Sequence, residues 1–216
     1  MTASILLILG AFSWLGVMVY RSTRRPDVPV RLKVGDRAPD VTFDTVEGAV
    51  SLSDLWLDAP LVIVWPRHAG CPFYQEQLAL LEQQRHRFDD LGAKLVVISA
   101  TFPKMTEAIA AEQRLGFDVL PDARSRSHSR FELGFTSYRS MIMSRRVNQR
   151  YREINRRGFK AHAKRSFSGA SDWLRLPGAC VIGSDGHVRF IHRASEVCEL
   201  APLDEIFTLL DQERSP

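Results

Sequence analysis

The stretch that most restricts the fold is Leu61–Trp65, "LVIVW", which runs straight into Pro66, Arg67, His68 and Cys71. A strand with one wet face alternates apolar and polar residues, so a strand that is apolar throughout must be covered on both faces. "KLVVISA", residues 94–100, repeats the pattern. Between these runs Leu78, Leu81, Phe88 and Leu91 recur at helical steps, which predicts a helix over 73–91 ended by Gly92. A second helix is predicted over 105–115, then a short strand in "FDVLPD". Strand, helix, strand, helix, strand implies right-handed crossovers and a parallel core.

The flanks read less uniformly. Residues 41–52 suggest a hairpin turning at "VEG", and Ser53 with Asp54 a turn or helix start. "ACVIGSDGHVRFIH" is a hairpin with strands at 179–182 and 187–192 around Ser184–Gly186. Leu203, Ile206, Phe207 and Leu210 mark a closing amphipathic helix behind Pro202. Apolar residues in 130–173 are scattered among basic ones; a helix over 137–156 and a loop after Gly158 are the expectation there, with Met141, Ile142 and Met143 read as core.

At 216 residues the chain suits one domain plus appendages. One appendage is expected at the start. Residues 5–20 carry no charge and are followed by "RSTRR". That length is at the short end for crossing a ~30 Å hydrocarbon core at ~1.5 Å per residue. "MTAS" lacks a basic n-region, so an uncleaved anchor is favoured over a signal peptide, and Arg21, Arg24 and Arg25 would keep the domain on the cytoplasmic side. The expected organisation is an anchor with basic flank at 1–25, a linker at 26–33 and a domain at 34–216.

Three cysteines, Cys71, Cys180 and Cys198, fit neither a disulfide scaffold nor a zinc site, and the histidines show no metal spacing. No cofactor-binding pattern is present. The formal net charge is +4, with basic residues concentrated in 145–165. That run reads as a solvated helix face or, alternatively, a surface for phosphates or lipid. With only Tyr151 and Phe159 among its cations it gives no support to nucleic-acid binding.

Three motifs together carry a family likeness: "VGDRAPDVTF" (34–43), "RHAGCPFYQEQ" (67–77) and "LPGACVIGSDGHV" (176–188). The chain resembles the peroxiredoxin-like family, the alkyl-hydroperoxide reductase and thiol-specific antioxidant branch of the thioredoxin-like superfamily. The resemblance implies an α/β thioredoxin-like fold, a central mixed sheet flanked by helices, here with an N-terminal transmembrane helix added. It implies a thiol peroxidase that reduces hydrogen peroxide or organic hydroperoxides through Cys71. Orphan N–H groups and the positive end of the helix would favour a thiolate there. Arg67 would hold that thiolate, His68 would orient the peroxide or cap the helix, and Pro177 would occupy the position of the fold's cis-proline. Arg124 is a further residue expected near the site.

The departures matter as much. The family's PxxxTxxC spacing is absent: Pro66 stands five residues before Cys71, and His68 takes the place of the Thr. A CxxC partner would fall at position 74, which is Tyr74. Cys198 is then the better resolving candidate, Cys180 reading as core, unless an external thiol of the thioredoxin, glutaredoxin or glutathione type restores Cys71. A homodimer is among the assemblies the family adopts. The reading from a different class is a non-catalytic redox sensor or adaptor at the membrane.

Overall fold

The computed structural model describes residues 16–17, 20, 28–162, 165 and 173–214. In chain order the elements are β1 (Thr42–Asp44), β2 (Ala49–Ser51), α1 (Leu52–Leu55), β3 (Leu61–Trp65), α2 (Pro72–Asp90), β4 (Lys94–Ser99), α3 (Pro103–Gln113) and β5 (Asp118–Pro121). They continue as α4 (Arg126–Arg130), α5 (Tyr138–Met143), α6 (Arg145–Arg156), β6 (Gly178–Ile182), β7 (Val188–Arg193) and α7 (Leu203–Arg214).

Five strands form the main sheet in the order β5-β4-β3-β6-β7. β3, β4 and β5 run parallel, while β6 and β7 are antiparallel to their neighbours. The all-apolar run is central, and every one of its residues is buried. Alternation then divides it between two cores. Val62 and Val64 join Leu78, Leu81 and Phe88 of α2 and Ile206 and Phe207 of α7. Leu61, Ile63 and Trp65 join Phe43, Leu52, Trp56 and Phe131 on the other face. The β6–β7 hairpin turns at Gly186, whose φ of 78° would strain any other residue and where an added Cβ would crowd Trp56 Nε1 at 3.1 Å.

Three expectations need correction. The expected membrane anchor at 5–20 falls mostly outside the described residues. Among those described, no helix is long and apolar enough to cross a membrane. The described residues form the thioredoxin-like α/β arrangement with no membrane-crossing helix among them, and the single-pass localisation read from the sequence is withdrawn. The physical weakness was length: sixteen residues rise only about 24 Å against a core of about 30 Å. Second, the helix expected over 137–156 is two, α5 and α6, broken at Ser144, whose hydroxyl caps α6 by accepting from Val147 N–H at 3.2 Å. Third, no cis peptide bond occurs among the described residues, so the bond before Pro177 is trans.

Candidate active site

Cys71 is where β3's exit loop becomes α2. It is the N-cap of that helix in extended conformation (φ −83°, ψ 137°), and its side chain makes no capping bond. Pro72 at the first helical position has no N–H to lose and a φ suited to the turn. The N–H groups of Tyr74 and Gln75 bond the Cys71 carbonyl at 3.1 and 3.4 Å. Phe73 N–H has no acceptor among the described residues, which leaves one backbone donor beside the sulfur. No acidic residue stands in the first turn to compete for that positive end.

The sulfur lies on the wall of an open cleft of about 380 Å³. Arg67, His68 and Phe73 line one side, and Met141, Ile142, Val147, Asn148 and Tyr151 of α5 and α6 the other. Trp173 and Val197 also line it. Arg67 is 5% exposed; one terminal nitrogen donates to the Trp173 carbonyl and both face Met141 Sδ at 3.9 Å. Its Nε and the Nδ1 of His68 are buried with no acceptor or donor among the described residues. The His68 ring stacks near Trp173, centroids 6.0 Å apart. Burial, and secondarily the Arg67 cation, push its pKa down to about 3, so the ring is neutral at ordinary pH and offers one N–H and one lone pair.

Tyr74, where a CxxC partner would stand, is fully buried and points away into a hydroxyl network. Its OH meets Ser99 Oγ at 3.0 Å, and Thr101 and Thr106 extend the chain at 2.9 and 2.7 Å. Burial lifts its pKa to about 12. Glu76, two residues on, is 3% exposed and held by Arg150 (2.8 Å) and Arg157 from the basic run. Arg146 meets Glu196 and Glu199 at 3.4 and 3.8 Å. The run is therefore only partly a solvated face, since several of its cations pin α6 over the cleft.

All three cysteines are free and buried. Cys180, opposite Ile63 on β6, sits in the core on the other face of the sheet from Cys71, and burial raises its pKa strongly. Cys198 belongs to the same core as Cys71 and adjoins the cleft residue Val197. Burial, and then the neighbouring Glu196 carboxylate, raise its pKa.

Other sequence expectations fall elsewhere. Pro177 is buried at the start of β6 and does not line the cleft. Arg124 is exposed beside a separate cavity near Phe102 and Pro103. Ile142 and Met143, read as core, are 63% and 69% exposed. Sequence reasoning also missed Trp173, Tyr151 and the buried Asp122, which caps α4 by accepting from Arg126 N–H and Ser127 N–H, both at 2.9 Å. An aspartate just ahead of a short helix was the readable signal for the last of these.

Comparison with known proteins agrees with this arrangement. Residues 34–191 match the family model described as the AhpC/TSA family. A curated relative from Arabidopsis thaliana, "Thioredoxin-like protein AAED1, chloroplastic", is 23% identical over 73% of this chain, and the match spans 64% of that protein's length. Among solved structures the peroxidoxin BcpB of Mycobacterium tuberculosis superposes with a TM-score of 0.61 at 18% identity, covering 86% of this chain and all of that one. A peroxiredoxin-like protein from Aquifex aeolicus gives 0.60 at 17% identity, covering 86% and 90%. A yeast mitochondrial 1-Cys peroxiredoxin, described as resolved through glutathione and thioredoxin systems, gives 0.52 at 18% identity, covering 84% and 76%.

Proposed function

The chain belongs to the AhpC/TSA family, and on that premise we propose that it is a thiol-dependent peroxidase whose reacting sulfur is Cys71. The observation that carries this reading is the setting of that sulfur: an N-cap not spent on capping, next to an unpaired N–H, in a cleft shared with Arg67 and His68. Reacting as a thiolate, Cys71 attacks the terminal oxygen of a hydroperoxide. The S–O bond forms as the O–O bond breaks; the departing oxygen takes a proton and leaves as an alcohol, or as water from hydrogen peroxide. Cys71 is left as a sulfenic acid. Arg67 stabilises the charge that develops on the departing oxygen, and the neutral His68 ring hydrogen-bonds the peroxide.

The return half uses an external thiol. Tyr74 removes a partner in the same helix, Cys180 lies across the sheet, and the raised pKa of Cys198 makes it a poor attacking thiolate. One thiol condenses with the sulfenic acid, releasing water and leaving a mixed disulfide. A second thiol attacks that disulfide, restores Cys71 and departs as the oxidised donor. The adaptor alternative is not favoured, since cleft and cysteine are both intact.

The test is peroxide consumption by the full chain with glutathione or thioredoxin as donor. Cys71→Ser abolishes turnover, while Cys198→Ser keeps most of it. Undiminished turnover in Cys71→Ser would sink the assignment.

A further inference from the structure

The cleft is far larger than its simplest substrate. Hydrogen peroxide is little bigger than a water, which claims about 30 Å³ of liquid, and the cleft holds about 380 Å³. Its far wall is hydrocarbon from Met141, Ile142, Val147 and Tyr151, of which Ile142 and Tyr151 are 63% and 41% exposed and so present that surface to solvent. Three arginines share the helices of this wall. Arg139 is three residues before Ile142, and Arg145 and Arg152 are three before and four after Asn148, so each lies one helical step from a cleft residue. All three are exposed. Among the described residues, the ion pairs of this region engage Arg146, Arg150 and Arg157, and none engages Arg139, Arg145 or Arg152.

We infer that the cleft selects amphiphilic organic hydroperoxides with a hydrocarbon chain laid along α5 and α6 and an anionic end group, such as a carboxylate, received by Arg145 and Arg152. This deepens, and rests on, the reading of Cys71 as the reacting sulfur. The reaction is unchanged: the hydroperoxide is reduced to the corresponding hydroxy acid by two electrons from Cys71, which the external thiol replaces. The chain supplies affinity by leaving water for the apolar wall, roughly fourfold per buried methylene. The end group supplies discrimination, because a carboxylate forms a two-pronged ion pair with guanidinium, whereas its ester is uncharged and offers only a weaker acceptor.

The experiment compares kcat/KM of the full chain for hydrogen peroxide, a C18 fatty-acid hydroperoxide and the methyl ester of that acid, below their micelle concentrations and without detergent. The acid is expected to exceed the ester about fivefold or more, with the difference in KM. Arg145→Gln with Arg152→Gln brings the acid-to-ester ratio close to one. Ile142→Asp, at a solvent-facing position, raises KM for the acid about tenfold. Equal use of acid and ester by the parent, or a ratio that the double substitution does not move, overturns the inference while leaving the peroxidase reading standing if hydrogen peroxide is consumed. Failure to consume any of the three overturns both.

Discussion

The two walls of the cleft are held by different physics. The Cys71 wall is the first turn of α2, fixed from beneath by Leu78, Leu81 and Phe88, none more than 1% exposed, against the central strands. The opposite wall, α5 and α6, buries only Val147 and Ile154 and is otherwise tied down by ions: Arg150 and Arg157 on Glu76, Arg146 on Glu196 and Glu199, Ser144 on Glu196 at 2.6 Å. Apolar burial fixes the Cys71 sulfur, while ion pairs fix the surface across the cleft from it. The first is indifferent to salt and the second is not.

Four perturbations separate the walls. Leu81→Ala, a cavity under the Cys71 wall, lowers global stability by about 2–5 kcal/mol in denaturant unfolding. A loss below 1 kcal/mol would mean α2 is not what anchors that wall. Glu76→Gln removes a buried carboxylate from two arginines; since Arg150 keeps Glu153 at 3.1 Å and Arg157 is half in water, the cost is about 1–3 kcal/mol rather than that of a fully buried pair. Hydrogen exchange should show the loss concentrated in α6, and a loss spread evenly over the molecule would merge the two walls into one unit.

The third concerns the titratable ring on the Cys71 side. His68 has a folded pKa of about 3, below its ordinary 6.5, so the unfolded chain takes up this proton first as pH falls. The stability that the neutral ring contributes is whole above pH 6.5 and is lost as pH drops towards 3, on the order of 1 kcal/mol between pH 7 and 5 for a half-buried ring. His68→Asn should flatten that part of the stability curve, and an unchanged slope would remove His68 from the account. Smallest is Arg146→Ala, whose ion pairs are exposed on the arginine side: about 0.2–1 kcal/mol, shrinking at high salt.

The same division explains what could be read from the chain. "LVIVW", the Leu78, Leu81 and Phe88 repeat and the Ser-Asp-Gly hairpin announce the sheet and α2 because apolar period and turn chemistry are local properties. Cys71 was readable for the same reason, standing at a strand-to-helix junction. The α5–α6 wall was not. Its two buried apolar residues are seven apart amid arginines, and the carboxylate that holds it, Glu76, lies more than seventy positions away in sequence. Periodicity cannot report an ion pair between distant segments, so Ile142 and Met143 read as core although both are exposed, while Met141 does pack against the core. The uncharged opening stretch misled in the reverse way, since hydropathy alone does not supply the length that a bilayer demands.

Tyr74 sets the tempo of the proposed cycle. With its hydroxyl tied to Ser99 where a second thiol would otherwise stand, oxidised Cys71 has no near neighbour in α2 to collapse onto, and its recovery becomes a collision with something dissolved. Turnover then follows the concentration of that donor in a ping-pong pattern. When donor runs short, the waiting sulfenic acid can meet another peroxide and pass to the sulfinic state, so scarcity of reductant, rather than abundance of substrate alone, is what retires the catalyst.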